Sequence, residues 1–248
     1  MTRTWPCLLL VLAFMAGLAA PVRAQTGLEL IEESLRKQAL PANVFEEQVL
    51  VLSDSAGQHT VRTVRYYARN DAGGTQRLMV IDTPQVLRGL RVYVARDTNG
   101  TRRGPAGSSL VFGSDYTVAD FEGEQPSGFT YEREPAQELD RVTHFVVRAV
   151  PKDDGVARAT GYGTRRIYLR KDNLYVSRID YLDRQGRLAR RQTFKDPRPD
   201  ESGAWRPGMT LTEDVREDRR TLLKVEKRVH SADYVPATVF DESRGGGQ

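Results

Sequence analysis

The chain has 248 residues, with 37 basic and 33 acidic side chains, a formal net charge of +4 and 39% hydrophobic residues. This length suits one sizeable domain or two small ones. Arg3 and Arg23 lie in an N-terminal segment with the features of an export signal, and without them 35 basic residues face 33 acidic ones, a net of +2. A balance so close to neutral argues against nucleic-acid binding.

The N-terminal segment predicts export. Arg3 supplies a short positive region, residues 7–20 form an apolar run too short to span a bilayer, and small residues precede a cleavage point after Ala24. An uncleaved membrane anchor is the alternative. The only cysteine, Cys7, lies in this segment, so the exported chain would carry no thiol. We expect a cleaved signal over 1–24, one folded domain over 25–242 and a disordered tail over 243–248.

One amphipathic helix is predicted at the start of the domain. Thr26 and Glu29 have the spacing of a capping box. Leu28, Ile31 and Leu35 then share one face, and the helix ends before Pro41. Such a helix packs on a core or covers a cavity, and the sequence does not distinguish the two.

Short β-rich runs separated by turn residues fill the rest of the chain. The meander from Arg165 to Asp196 shows the alternation of strands that have one buried and one wet face. The Gly- and Arg-rich stretch from Asp97 to Ser109 is predicted to be a loop, and Ser114 or Asp115 to cap a short helical turn. The predicted strands are Phe45–Leu52, His59–Ala68, Arg77–Asp82, Gly89–Arg96, Phe129–Arg133, Val142–Val150, the meander, Trp205–Leu211 and Leu222–Val229.

The sequence offers no recognisable catalyst. His59, His144 and His230 have neither a second histidine nor a cysteine nearby, so no metal site is expected. No nucleophile-elbow motif is present. Asp115 and Asp120 are the carboxylate pair of most interest, and capping of the local turn explains them better than acid–base chemistry. We therefore expect no enzymatic activity and no cofactor.

Two arginine clusters lie near predicted turns, at positions 187, 190, 191 and at 216, 219, 220. Exposed charge is the default for such residues. The functional alternative is a docking patch for anionic headgroups or for an acidic partner.

A resemblance to a known family extends from about Val44 to Phe240. The segments that carry it, in order, are 61–69, Asp82-Thr83-Pro84 with Arg88-Gly89, Gly113–Tyr116 with Ala119–Phe121, Ala149–Lys152, 181–188, Trp205-Arg206-Pro207, Thr221 and Val235-Pro236 with Phe240. In their order and spacing they resemble the outer-membrane lipoprotein-sorting proteins of the LolA-like superfamily. One departure is the Asp97–Ser109 loop, which stands where many members have a W-L-Y-L-P-like strand and a basic run.

The resemblance implies a mainly β (α+β) fold, namely a curved, incomplete antiparallel β-barrel of about ten or eleven strands covered by one or two helices. It also implies a periplasmic monomer that binds the acyl chains of a lipid or lipoprotein in an apolar cavity and moves them toward the outer membrane. The alternative is a periplasmic binding or sensor module that acts with an inner-membrane exporter.

The candidate cavity residues are apolar positions of the predicted strands, and ordinary core packing is the competing explanation for each. They are Val80, Val92, Val94, Phe112, Phe145, Val147, Ile167, Leu169, Ile179, Tyr181, Trp205, Met209, Leu211, Leu223 and Val225. Whether the concave face is open or packed shut, and which cargo it would hold, are not determined by the sequence.

Overall fold

β-strands dominate the computed structural model, which describes residues 24–183 and 185–244. The predicted signal, except Ala24, lies outside these ranges, as do residues 245–248 of the predicted tail. The helices are α1 (Gly27–Lys37), α2 (Val118–Glu122), α3 (Asp154–Thr160) and α4 (Thr238–Arg244). The strands are β1 (Asn43–Ser53), β2 (His59–Asp71), β3 (Gly74–Thr83), β4 (Arg91–Arg96), β5 (Arg102–Arg103), β6 (Phe129–Leu139), β7 (Val142–Pro151), β8 (Arg165–Arg170), β9 (Val176–Leu182), β10 (Leu188–Lys195), β11 (Arg198–Pro199), β12 (Trp205–Arg206), β13 (Met209–Asp214) and β14 (Arg219–Val229).

Twelve of these strands form one curved antiparallel sheet in the order β5-β4-β3-β2-β1-β14-β13-β10-β9-β8-β7-β6. The pairing of β1 with β14 joins the two halves of the chain. The sheet does not close into a barrel, because β5 and β6 are its free edges, and β11 and β12 form a separate ribbon. The incomplete antiparallel barrel implied by the resemblance is therefore confirmed.

Strand alternation divides the core between the two faces of the sheet. On β3, Met79 and Ile81 pack on the concave face. Leu78 and Val80 point to the convex face, where Phe240 of α4 covers them. The concave face holds two apolar clusters, one centred on β1–β4 and β14 and the other on β7–β9 beneath α1.

Helix α1 begins where the capping box predicts. The Glu29 backbone N–H donates to Thr26 Oγ1 at 3.2 Å, and the Thr26 N–H donates to the Glu29 carboxylate at 2.7 Å. Its buried face is not the predicted one. Leu30, Ile31 and Ser34 are buried, whereas Leu28 and Leu35 are exposed.

The shifted face of α1 follows from how the helix approaches the edge of the sheet. A Cβ on Gly27 would lie 2.8 Å from the backbone of Tyr131 in β6, so only glycine allows this contact. The side of α1 that carries Gly27 is therefore the side that faces the sheet.

Four local predictions need correction. The Asp97–Ser109 stretch contains β5, which pairs with β4. Helix α2 is capped by Thr117 rather than by Ser114 or Asp115. Helix α3 was missed, although Asp153 and Gly161 cap its two ends. Helix α4 continues to Arg244, so the predicted disordered tail begins within a helix.

Candidate functional site

A cavity of about 330 Å³ lies between α1, α2 and strands β8–β10. This volume is near the lower end of the range for small-molecule sites. Most of its wall is apolar, with a few charged and hydroxyl groups. The lining residues are Ile31, Ser34, Leu35, Gln38, Leu40, Tyr116, Ala119, Asp120, Gly123, Glu124, Tyr162, Arg165, Ile167, Tyr175, Val176, Ile179, Tyr181, Gln192, Phe194, Trp205, Arg206 and Pro207.

Helix α1 forms one wall of the cavity, and hydrogen bonds at its C-terminal end hold it in place. Ser34 Oγ donates to the carbonyl of Leu174 at 2.7 Å, in the turn between β8 and β9. Arg206 of β12 donates to the carbonyl of Gln38 at 2.6 Å. The Trp205 N–H donates to the Gln38 side chain, also at 2.6 Å. The Arg206 bond satisfies a carbonyl that the end of the helix leaves unpaired, and the three bonds together fix α1 over the cavity.

A buried ion pair joins α2 to the sheet in the cavity wall. Arg190 of β10 donates to both oxygens of Asp120, at 2.5 and 3.0 Å. The hydroxyls of Tyr162 and Tyr181 donate to Asp120 Oδ1 at 2.7 and 2.9 Å. The Arg190 guanidinium also stacks 3.9 Å from the centre of the Tyr181 ring. Every charge in this group has a partner.

The electrostatics of Asp120 follow from these contacts. Burial alone would raise the pKa of its carboxyl group, since burial disfavours the charged form. The attraction and hydrogen bonds of Arg190, with further hydrogen bonds from Tyr162 and Thr117, outweigh burial and hold the pKa of Asp120 below its ordinary value. The carboxylate is therefore ionised at neutral pH and is not available as a general acid.

A second buried ion pair lies nearby. Arg165 donates to the two oxygens of Glu124 at 2.6 and 2.9 Å. Its guanidinium is held between the rings of Phe129 and Tyr162, at 4.2 and 4.6 Å from their centres. Burial acts to lower the pKa of Arg165, but the attraction of Glu124 raises it, and the side chain stays charged.

Of the predicted cavity residues, Ile167, Ile179, Tyr181 and Trp205 line this space. Val147, Leu169 and Phe145 belong to the apolar cluster beside it. On the other half of the sheet, Val92, Val94, Phe112, Leu223 and Val225 fill the second concave cluster.

The structure places the remaining three predicted residues on the convex face instead. Val80 packs beneath the C-terminal segment. Leu211 lines an outer groove, and Met209, two residues earlier in β13, shares its face. In β13 the inward positions are taken by the alternating residues Thr210 and Thr212, which are buried. Thr212 accepts a hydrogen bond from Gln192 there, so Met209 and Leu211 face outward.

Sequence reasoning missed several important residues of the wall, among them Arg165, Glu124, Gln192 and the covering residue Gln38. Arg190 was assigned to an exposed cluster, yet it points inward. The inward position of Arg190 could have been inferred from the strand period, since Arg190 and Gln192 are two residues apart in β10 and lie on the same face. Arg187 lies in the preceding turn and remains exposed.

A convex-face groove of about 810 Å³ holds a different pair of polar residues. Ser177 Oγ lies 2.7 Å from His144 Nε2, and His144 Nδ1 lies 2.8 Å from the carbonyl of Val142. His144 is buried. Burial lowers the pKa of His144, so the ring is neutral at neutral pH, with Nδ1 donating to the carbonyl and Nε2 accepting from the serine.

Within the ranges that the structure describes, no group of three histidine, cysteine or carboxylate side chains could hold a metal ion. No helix in those ranges is long and apolar enough to cross a membrane.

A curved, unclosed antiparallel sheet with a helix-covered cavity is the LolA-like architecture, and solved structures confirm this fold for the chain. A family model described as "Uncharacterized protein" matches residues 62–244. The match covers most of the sequence, and the chain belongs to that family. No curated protein matches the sequence.

Three solved structures show the likeness of fold. A domain from Vibrio parahaemolyticus, assigned to the outer membrane lipoprotein-sorting proteins, has a TM-score of 0.74 at 15% identity and covers 88% of this chain and 97% of its own. A DUF1329 family protein from Desulfovibrio piger has a TM-score of 0.73 at 18% identity, with 86% and 97% covered. A LolA superfamily protein from Nitrosomonas europaea has a TM-score of 0.64 at 15% identity, with 88% and 98% covered.

Proposed function

We propose that the protein is a periplasmic carrier that binds an acyl chain of a lipid or lipoprotein beneath α1 and moves it toward the outer membrane. The observation that carries the proposal is the cavity of about 330 Å³ with its largely apolar wall. The fold supports it, since one structure of the same fold is assigned to lipoprotein sorting. The export signal predicted over residues 1–24 supplies the route to the periplasm.

Hydrophobic burial would supply the affinity. Each CH₂ group removed from water contributes about 0.8 kcal/mol, so a chain of a dozen carbons offers several kcal/mol after ordering costs. The charged residues of the wall would not oppose such a ligand, because Arg190 and Arg165 are neutralised by Asp120 and Glu124. We infer a binding protein without enzymatic activity.

The test is lipid binding, measured with a variant that fills the cavity. Gently purified protein should carry lipid in native mass spectrometry and should take up a fluorescent fatty acid. Ile179→Trp places a large ring in the cavity and should weaken uptake about tenfold or more, because it removes the space for several CH₂ groups.

Leu211→Trp is the matched control. It adds the same side chain to a neighbouring region of the sheet, but in the outer groove, and should leave uptake unchanged. A wild-type protein that carries no lipid and takes up no fatty acid would refute the carrier function.

The exporter-linked alternative depends on the exposed arginines at the turns. Arg187 is paired with Asp183 at 2.9 Å, and Arg219 with Asp115 at 3.2 Å. These pairs reduce the net positive charge available to an acidic partner, and we therefore favour the carrier. Crosslinking from position 187 or 219 to a single membrane protein would favour the alternative.

A further inference from the structure

One tyrosine of the cavity wall has a buried hydroxyl without a hydrogen-bond partner. Tyr175, in the turn between β8 and β9, lines the cavity and is 4% exposed. Within the described residues, its hydroxyl oxygen is buried and makes no hydrogen bond. Most buried polar side-chain atoms are hydrogen-bonded, because burying one without a partner costs free energy. The hydroxyl therefore retains an unused donor and acceptor in the wall of the site.

The other tyrosines of the wall use their hydroxyls within the protein. Those of Tyr162 and Tyr181 donate to the Asp120 carboxylate, and that of Tyr116 donates to the Asp120 carbonyl at 3.3 Å. Arg165 also has one nitrogen without a partner, Nε, but its guanidinium is already ion-paired and covered by two aromatic rings. Among the described tyrosines of the wall, Tyr175 alone can bond to a ligand without giving up a bond that it already makes.

The hydroxyl lies toward the cavity rather than toward the outer groove, which Tyr175 also borders. Of the charged groups that act on the pKa of Tyr175, Arg228 is the strongest. Arg228 donates to the carbonyl of Pro207 at 3.1 Å, and Pro207 lines the cavity. Arg206, whose charge also acts on Tyr175, lines the cavity as well. The electrostatic neighbours of the hydroxyl therefore lie mainly on the cavity side.

The charges around the hydroxyl favour a ligand atom that accepts a hydrogen bond. Burial raises the pKa of Tyr175, because it disfavours the charged phenolate, and the hydroxyl stays protonated at neutral pH. Arg228, Arg170 and Arg206 oppose that rise, which places positive charge on the side of the oxygen. A carbonyl or carboxylate oxygen is the ligand group that suits both features.

Tyr175 lies at the end of the cavity beneath the last turn of α1. The Gln38 side chain donates to the carbonyl of Asn173 at 3.1 Å, two residues before Tyr175. Lining residues at this end reach the surface, since Leu35 is 39% exposed and Trp205 is partly exposed. An acyl chain that enters here methyl end first would leave its polar end beside Tyr175, with the hydrocarbon beneath α1 against the apolar wall of β8 and β9.

We propose that Tyr175 donates a hydrogen bond to the carbonyl oxygen of the acyl group in the cavity, and that this bond fixes the orientation of the cargo. The inference rests on the proposed carrier function and names the polar group by which the cavity recognises its cargo. Either a free carboxylate or an ester carbonyl can accept the bond. The carboxylate gains more from it, because hydrogen bonds to ionised groups are roughly twice as strong.

The experiment compares ligands of one chain length: a fluorescent polyene fatty acid, its methyl ester and the matching polyene hydrocarbon. Tyr175→Phe removes the hydroxyl and keeps the ring, and it should fold normally because no bond within the protein is lost. The dissociation constant should rise about tenfold for the acid and about threefold for the ester, and should not change for the hydrocarbon. The infrared carbonyl band of the bound ester, isotope-labelled at the carbonyl carbon, should move to higher wavenumber in the variant.

Tyr168→Phe is the matched control. It removes the hydroxyl of another buried tyrosine, in β8, but on the convex face, where that hydroxyl donates to Asp180. This variant should bind all three ligands as the wild type does.

Two kinds of result separate the hydrogen bond from the carrier function. If the wild type binds the ligands but Tyr175→Phe weakens all three equally, or weakens none, the proposal is overturned and the carrier function stands. A carbonyl band at the same wavenumber in the wild type and in Tyr175→Phe would overturn it in the same way. A wild type that binds none of the three ligands would refute the carrier function, and this inference with it.

Discussion

Four arginines with mostly buried side chains each form an ion pair with a carboxylate of their own. Arg165, Arg190, Arg206 and Arg228 have mostly buried side chains, and each meets one carboxylate: Glu124, Asp120, Asp200 and Glu46, respectively. A buried ion pair adds little net stability, since desolvation offsets the attraction, but removing one partner leaves a costly unpaired charge. The pairs therefore fix the position of α2 and of the loops around the cavity more than they stabilise the fold.

Loss of Arg190 should be strongly destabilising. Arg190→Met leaves Asp120 buried without its cation and should lower the free energy of unfolding by about 3–5 kcal/mol, measured by urea denaturation. Arg190→Met combined with Asp120→Leu should recover most of the loss. Arg148→Met removes an exposed partner of Glu132 and should cost less than about 1 kcal/mol. Equal losses for Arg190→Met and Arg148→Met would contradict this account.

Asp120 illustrates how far a single residue could be predicted. Its capping role was readable from local sequence and is confirmed, because Asp120 Oδ2 accepts from the Thr117 N–H at 2.8 Å. Its partner Arg190 is 70 residues away. Local sequence gives only the face of β10 on which Arg190 lies, and the pairing depends on where α2 docks.

At the scale of elements, α1 and the β11–β12 ribbon act together. Arg206 pairs with Asp200 at 2.9 Å within the ribbon segment and also donates to the carbonyls of Gln38 and Ala39 after α1. One planar guanidinium thus joins the ribbon to the helix. An ammonium group would keep the ion pair but could not reach all three acceptors in the same geometry.

Arg206→Lys should therefore loosen α1 without unfolding the sheet. We expect amide hydrogen exchange over residues 31–38 to speed up about tenfold or more, since each hydrogen bond to a charged group is worth about 1.5–3 kcal/mol. Exchange in β8–β10 should not change. Arg198→Lys, in the same ribbon but paired only with Asp196 among the ion pairs, is the control. Unchanged exchange of α1 in Arg206→Lys would show that Arg206 does not restrain the helix.

Elements with strong periodicity were predicted better than those defined by packing. The capping box of α1 and the strands of the meander are confirmed. Helix α3 is seven residues long and α4 lies at the chain end. Neither is long enough to show a helical period, and α4 is held by burial of Phe240 against the convex face. The phase of α1 was wrong because Gly27, rather than a leucine, sets its contact with β6.

At the scale of the whole molecule, the two halves of the concave face differ. The half formed by β1–β4 and β14 is filled by its own side chains, including Phe112, Phe121 and Leu223. The half formed by β7–β10 retains the cavity. Alternation along strands predicts which residues face inward, but not whether they meet one another, so the sequence could not separate the filled half from the open one.

This asymmetry limits the cargo. A cavity of about 330 Å³ on one half of the sheet suits one acyl chain better than two. In competition with a bound fluorescent fatty acid, a single-chain lysophospholipid should displace the probe about tenfold better than a diacyl phospholipid of equal headgroup and chain length. The reason is that each CH₂ left in water forfeits about 0.8 kcal/mol, and a second chain would have no cavity to enter.

Enlarging the cavity provides the control for this size limit. Phe194 lines the cavity from β10 and also borders the outer groove, so Phe194→Ala should widen the space and narrow the difference between the two lipids. Thr193→Ala, the neighbouring residue on the groove side, should leave the difference as it is. If the wild type binds the diacyl lipid as tightly as the single-chain one, then α1 must open farther than its hydrogen bonds to Arg206 and Leu174 suggest, and the volume beneath it does not set the cargo.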